Sequence, residues 1–376
     1  MDTRAKVALS PTERINWLRL IRSENVGPIT FRHLIAHFGS AGDAIDGLPE
    51  LSRRGGRAKP VRVAAKAEAE DEIARLEKLG GRFVALGEPD YSVPLATTED
   101  APPMLAVIGD VSLLRRETVG VVGARNASTN GRRIAQQIAG GLGATGFVVA
   151  SGFARGIDAS AHGAALETGT VAAIAGGVDV VYPRENEMLY RAIAEKGAHI
   201  SEQPLGTQPT ARHFPRRNRL ISGLSLGVLV VEAAQRSGSL ITARFALEQG
   251  RDVFAVPGSP LDPRCLGSNN LIRQGAVLTE SAADITEALS GQIGAGLRHP
   301  EDDNFLTKSI VKSDSAGLEA ARAKVLEALG PAPTSVDEII RQCQLSAPVV
   351  AAALLELELA GRLERHPGHR VALIFD

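Results

Sequence analysis

The sequence predicts an α/β protein: a mostly parallel sheet with helices on both faces, flanked by a small N-terminal helical module and a C-terminal winged-helix domain. Three observations predict it. Residues 12 to about 80 carry a helical pattern, short apolar runs alternate with helical segments from about residue 81 to 290, and residues 318–376 read as three helices and a hairpin. Strict alternation of strand and helix implies parallel strands, which need crossover connections.

The N-terminal module, residues 1–80, contains the turn Asn25-Val26-Gly27-Pro28 followed by Phe31, Leu34, Ile35 and Phe38 at helical spacing. Such a turn is similar to half of a helix-hairpin-helix (or SAM-like) element, whose amides can hold a phosphate, but a packing role for the turn is favoured.

In the core, residues 81–290, strands are expected at Phe83–Leu86, Leu105–Ile108, Val119–Val122, Val148–Ser151, Val171–Ala175, His199–Ser201, Leu226–Val231, Val253–Val256 and Ala276–Leu278. Helices are expected at Arg132–Ala144, Ala159–Glu167, Glu187–Lys196, Leu240–Gln249 and Ala282–Leu289. Ligands of such sheets sit at the carboxyl ends of the strands. Residues 291–317 lose periodicity and gain Gly, Ser and Asp, the composition of a linker.

The last segment, residues 318–376, has the order of a winged helix, yet its expected recognition helix, Ala347–Ala360, carries Glu356 and Glu358 and no basic side chain. The segment holds six Arg plus Lys against eight Asp plus Glu. Duplex binding here would be opposed electrostatically, so a structural or protein-contact role is expected.

Composition narrows the function classes. The 376 residues carry 42 Lys plus Arg against 43 Asp plus Glu, a net charge of −1, so any nucleic-acid site must be local. Cys265 and Cys343 lie far apart and form no Cys-x-x-Cys pair, so neither a disulfide framework nor a zinc site is indicated and no metal or cofactor is expected. The start lacks a signal-peptide core and no apolar run could span a bilayer; a cytoplasmic protein without membrane contact is expected.

Four strand-end clusters carry possible chemistry. In VGVVGARNASTNGRR a strand ends at Gly123 and a helix starts near Ser128, so helix-start amides with Arg125 suit an anion; the Lys-Ser/Thr pair of a P-loop is missing. SGFARGIDASAH offers Arg155, Asp158 as a helix cap, and His162 as a packing or phosphate-contacting residue, with no set for nucleophilic catalysis. RHFPRRNRLISG, read as a loop, brings Arg212, Arg216, Arg217 and Arg219 beside Phe214, a combination that pairs with phosphates and stacks a base. Ser237-Gly238-Ser239 opens another helix, and Asn269 and Asn270 could bind a ligand or hold a loop.

VGAR, SGFARGIDASAH, FPRRNRLISG, EAAQRSGSLITA, AVPG and GSNNLIRQGA, in this order, resemble the signature of the DNA-processing protein A family (DprA/Smf) over roughly Tyr91 to Leu289. The resemblance implies an extended Rossmann-like domain that binds single-stranded DNA without catalysis, dimerises, and loads the RecA recombinase onto that strand in natural transformation. It implies DNA contacts at Arg125, Arg155, Arg212, Phe214, Arg216, Arg217 and Arg219, phosphate-binding amides at Ser151 and Gly152, and further contacts at Ser237, Ser239 and Asn269. The family's early Tyr-Pro turn reads YSVPL here, with the proline displaced to Pro94. Resting on the resemblance alone, the dimer contact is expected in the apolar segment from Gly258 through Leu289.

Two other classes compete. A nucleotide phosphoribohydrolase of the lysine-decarboxylase-like Rossmann group would need Pro-Gly-Gly-x-Gly-Thr-x-x-Glu where this chain has EAAQRSGSLITA. A winged-helix regulator would need a basic recognition helix.

Overall fold

The computed structural model describes residues 8–291, 315–366 and 368–374. Among these, residues 72–291 form one compact unit, and residues 9–71 together with 315–374 form another. The two chain ends, which the sequence presents as separate modules, thus share a unit. Nearly all of the expected linker lies outside the described residues.

The N-terminal helices are α1 (Pro11–Arg22), α2 (Pro28–Phe38) and α3 (Ala41–Arg54), followed by α4 (Lys66–Lys78), within which the boundary between the units falls. Ser10 and Ser40 cap α1 and α3 through their hydroxyls, and Pro28 opens α2, where its missing N–H costs nothing.

The sheet unit continues with β1 (Gly81–Ala85), α5 (Val93–Ala96), β2 (Met104–Gly109), β3 (Thr118–Gly123), α6 (Thr129–Ala144), β4 (Val148–Ser151), α7 (Ile157–Ala165), β5 (Thr170–Ala173), α8 (Glu187–Lys196) and β6 (Ala198–Ser201). It closes with α9 (His213–Leu224), β7 (Gly227–Val231), α10 (Gly238–Glu248), β8 (Asp252–Ala255), α11 (Leu266–Arg273), β9 (Val277–Leu278) and α12 (Ala282–Leu289). The strand order is β1-β2-β6-β5-β4-β3-β7-β8-β9, antiparallel at β1/β2 and β2/β6 and parallel elsewhere. All nine expected strands are present, within a few residues of their expected ends.

Alternation along the strands builds a core on each face. Val119, Val121 and Val149 face Ile138 and Leu142 of α6 and Ala161 of α7, whereas Val122, Val228 and Val230 face Leu220 and Leu224 of α9 and Ala243 of α10. Strands β4, β5 and β6 lie to one side of β3 and β7, β8 and β9 to the other, so the chain reverses its winding between β3 and β7. The loops after these two strands flank the crevice where ligands of open α/β sheets bind.

One expectation is corrected here. FPRRNRLISG is a helix, α9, and not a loop. Its His213, Arg217, Leu220, Ile221 and Leu224 recur at helical spacing and are buried. Two buried arginines on the inner face disguise that period in sequence, because charged residues ordinarily mark an outer face.

The C-terminal residues form α13 (Ser315–Ala328), β10 (Thr334–Ser335), α14 (Val336–Cys343), α15 (Ala347–Leu359), β11 (Leu363–His366) and β12 (Arg370–Leu373), a three-helix domain with a wing. Helix α15, the expected recognition helix, is buried on two sides. Val350, Leu354 and Leu357 enter the winged-helix core, and Leu355 and Leu359 complete the core of the N-terminal helices with Leu20, Phe31, Leu34 and Leu48. A helix apolar all round is one that packs all round.

Gly55, ending α3, sits so close that a Cβ there would lie 2.0 Å from the Glu356 carbonyl oxygen. Asn25 Nδ2 donates to the Leu359 carbonyl at 3.1 Å, so the N-terminal turn serves packing. Buried Glu356 accepts from Arg322 of α13 at 2.7 Å. Among the described residues no helix is long and apolar enough to cross a membrane, and no cluster of His, Cys, Asp and Glu could hold a metal ion.

Candidate nucleic-acid interface

The anion site expected at the start of α6 is filled by the protein itself. Ser128 caps α6 by accepting from the Gly131 amide at 2.9 Å, while its own amide donates to the Glu232 carboxylate at 2.8 Å and its hydroxyl donates to the other carboxylate oxygen. Glu232 stands immediately after β7, buried, with φ +51°, a left-handed conformation unusual for glutamate. A Cβ on Gly131 would lie 2.4 Å from the Glu232 carboxyl carbon, so glycine is needed for the carboxylate to reach the helix start. Glu232 thereby supplies the negative charge that the helix dipole favours, from about a hundred residues away in sequence.

The loop after β4 is held from within as well. Ser151 is wholly buried and its hydroxyl donates to the Val121 carbonyl at 2.6 Å. The Gly152 and Ala154 amides donate to the Asp158 carboxylate at 3.1 and 3.2 Å. Arg217 reaches in from α9 to donate to the Gly152 carbonyl and, at 2.7 Å, to the Ala173 carbonyl. Burial pushes Arg217 down to about 10, with the Asp158 charge opposing that shift, so it stays protonated at neutral pH. Gly156, at φ +78°, precedes the first turn of α7. Asp158 is therefore not the N-cap expected from sequence; it reaches back from inside the helix to fasten the loop.

Other candidates are likewise internal. Arg219 is buried, pairs with Asp100 at 3.2 Å and with Glu202, and donates to the Asp100 carbonyl at 2.8 Å. Asn269 grips the Gly258 backbone twice, accepting from its amide at 3.0 Å and donating to its carbonyl at 2.8 Å. His162 is buried with Nδ1 2.7 Å from the Thr170 hydroxyl, and burial takes it down to about 3. It is a packing histidine. Ser151, Gly152, Arg217, Arg219 and Asn269 therefore spend these groups on shaping the loops.

Arg125, Arg155, Arg212 and Arg216 face outward at the carboxyl end of the sheet. The Arg125 guanidinium lies 5.1 Å from the centroid of the Phe214 ring, a cation–π contact that fixes both at the mouth of the edge. Phe214 is half-buried in the first turn of α9, between exposed Arg212 and Arg216. Arg155 pairs at 3.4 Å with Glu185, both exposed, a contact that water screens. Ser237 is half-buried and caps α10, its hydroxyl 2.7 Å from that of buried Ser239. Sequence reasoning missed two neighbours: exposed Arg236 in the loop after β7, and Tyr182, whose ring centroid is 5.7 Å from that of Phe214. A tyrosine in a strand-end loop of a chain with three tyrosines was the available signal.

Comparison with known proteins follows this geometry. Residues 82–290 match the family profile of DNA recombination-mediator protein A, residues 11–74 that of a DprA-like N-terminal HHH domain, and residues 312–369 that of a DprA winged helix domain. The chain is 39% identical to protein Smf of Escherichia coli over 307 residues, 81% of this chain and 80% of that protein. It is 42% identical to DNA processing protein DprA of Bacillus subtilis over 220 residues, 58% of this chain and 74% of that protein.

Among solved structures, DNA processing protein A of Streptococcus pneumoniae is similar at a TM-score of 0.60 and 36% identity, covering 74% of this chain and 98% of that one. A Helicobacter pylori DNA processing protein A, solved for its single-stranded DNA binding mode, is similar at a TM-score of 0.51 and 26% identity, covering 56% of this chain and 96% of that one.

Proposed function

The chain belongs to the DNA recombination-mediator protein A family, and from that premise we propose that it binds single-stranded DNA at the carboxyl edge of its sheet, loads the RecA recombinase onto that strand during natural transformation, and catalyses no step itself. The observation that carries the binding reading is the outward group of Arg125, Arg212 and Arg216 around Phe214. Guanidinium groups bind the phosphates of any sequence and an aromatic ring stacks any base, so the site suits a strand read without regard to sequence. The Helicobacter pylori relative was solved for its single-stranded DNA binding mode, which supports the same ligand here.

A phosphoribohydrolase would hold a nucleotide phosphate at the crevice between β3 and β7. Glu232 already places its carboxylate on the Ser128 amide there, which disfavours that alternative. A homodimer in the cytoplasm completes the reading. Leu261 is 91% exposed and, with exposed Val277 and Leu278 on the edge strand β9, offers an apolar surface and an unpaired strand edge to a second copy.

Titration of fluorescent oligo-dT and of a duplex of equal length at two salt concentrations tests the binding reading. Wild type should prefer the single strand, bind more weakly at higher salt, and lose affinity in Arg125→Ala and Phe214→Ala. Binding unchanged in both variants would overturn the assignment. RecA filament formation on strands coated by a single-strand-binding protein, with and without this protein, tests loading; no acceleration would refute it.

A further inference from the structure

We propose that Glu72 and Asp179 are positioning residues of the strand-binding edge: from two different elements they grip consecutive amides of the loop after β6 and so set where Arg212 stands. This rests on the single-strand reading above. The loop, residues 202–212, runs from β6 to α9 and ends at Arg212. Each of its residues is half-buried or exposed, so none anchors it in a core. Polar contacts hold it instead, and a segment held in that way opens more readily than the strands beneath it.

Those contacts converge on one turn. The Thr207 amide donates to the Pro204 carbonyl at 3.2 Å, and Gly206 takes φ +77°, a left-handed conformation that favours glycine. The Leu205 amide donates to Glu72 Oε1 at 3.2 Å, and the Gly206 amide donates to the two oxygens of Asp179 at 2.8 and 3.0 Å. Glu72 is a buried carboxylate on α4, whereas Asp179 stands in the loop after β5. Successive N–H groups presented in this way suit negative charge, and here two carboxylates of the protein supply it. The Gly177 amide closes the crossing by donating to the Thr207 carbonyl at 2.9 Å. A Cβ on Gly177 would lie 2.5 Å from Asp179 Oδ1 and 2.7 Å from the Pro204 carbonyl oxygen, so glycine allows the two loops to cross this closely.

From the turn the chain enters α9 through a reciprocal pair of bonds. The Thr210 amide donates to His213 Nδ1 at 3.3 Å, and the His213 amide donates to the Thr210 carbonyl at 2.9 Å. Arg212 lies between these two residues, so its backbone is fixed on one side by α9 and on the other by the gripped turn. Sign separates positioning from plain electrostatics. Removing a carboxylate from a protein that binds a polyanion should tighten binding by charge alone, whereas removing a clamp should weaken it.

Titration of oligo-dT with wild type, Arg212→Ala, Glu72→Leu, Glu72→Gln, Asp179→Ala and the double variant Glu72→Leu/Arg212→Ala tests this, together with amide hydrogen exchange of the free proteins. Arg212→Ala should bind roughly tenfold more weakly, the loss of one charge-assisted phosphate contact. Glu72→Leu and Asp179→Ala should each bind roughly three- to tenfold more weakly despite losing a negative charge. Glu72→Gln keeps the Oε1 acceptor and should stay within about twofold of wild type. In the Glu72→Leu background Arg212→Ala should cost less than about threefold, because that arginine is already displaced. Exchange should quicken over residues 203–212 and not in β5 or β6. Wild-type or tighter binding by either Glu72→Leu or Asp179→Ala overturns the proposal and leaves the single-strand reading standing. So does an equal loss in Glu72→Gln, additive losses in the double variant, Arg212→Ala binding like wild type, or exchange that quickens throughout the sheet. Failure of wild type to bind oligo-dT overturns both.

Discussion

Replacing Glu232 by alanine removes the carboxylate that closes the start of α6. The residue's two hydrogen bonds, from the Ser128 amide at 2.8 Å and from the Ser128 hydroxyl, are charge-assisted and partly buried. A hydrogen bond to a charged group contributes about 1.5–3 kcal/mol net, and a charge at a helix terminus up to about 1 kcal/mol more. Alanine keeps the costly left-handed φ of +51° and so recovers nothing. Water entering the vacated space restores part of the bonding, which puts the expected loss at about 2–3 kcal/mol, or roughly 5–10 °C in melting temperature for a domain of this size.

The variant should also gain a property that wild type lacks. With its amides uncovered, the helix start becomes an anion site, so tens of millimolar phosphate should raise the melting temperature of Glu232→Ala more than that of wild type or of Glu232→Gln, which keeps the side chain in place. The assay is thermal unfolding of the three proteins across a phosphate series at constant ionic strength. A loss below about 0.5 kcal/mol, or equal phosphate stabilisation of all three, would refute the account of Glu232 as the internal occupant of this site.

Acid should destabilise the fold through two buried histidines. Burial lowers His162 to about 3 and His199 to about 4, so the unfolded chain, with both near 6.5, binds protons first. Stability is then fully present above pH 6.5 and falls as pH drops toward 4, by about 1.4 kcal/mol per unit for each histidine; equal denaturation midpoints at pH 7 and pH 5 would contradict this. Arg219→Ala should lower stability by about 3–5 kcal/mol, because Asp100 and Glu202 lose their buried partner. Arg216→Ala, on the exposed side of the same helix, should weaken oligo-dT binding and leave the melting temperature within about 1 °C; melts and titrations run in parallel separate the two. Gly55→Val places side-chain atoms where the Glu356 carbonyl stands, since even a Cβ would be 2.0 Å away. It should cost about 1–3 kcal/mol or more and lower the unfolding transition of the unit built from the chain ends; calorimetry showing no shift would count against the close α3–α15 packing.

Much of this was legible in the residues. Apolar runs such as Val119–Val122 and Val148–Ser151 stand between glycines and helical patterns, and alternation of that kind specifies a parallel sheet by local period alone. The carboxyl edge as the candidate site followed from the same pattern. The lack of basic residues in Ala347–Ala360 argued against a duplex-reading helix and for a structural role, and in the structure that helix is a shared core element. The uniformly apolar face of α15 already carried that information.

What the sequence by itself determined, then, is the order of elements, the two flanking modules and the neighbourhood in which arginines, glycines and one phenylalanine gather. Only the tertiary structure decided which arginines face outward. Arg212 and Arg216 stand on the open side of α9, while Arg217 and Arg219, one and three residues further along from Arg216, turn inward to Gly152, Ala173, Asp100 and Glu202. It also decided that Glu232 covers Ser128, that Tyr182 stands beside Phe214, and that α15 completes the N-terminal core. Periodicity is a property of neighbours in the chain and can be read from spacing. The partner that makes burial of a charge tolerable is chosen by contacts between residues far apart in sequence, and no local pattern encodes it.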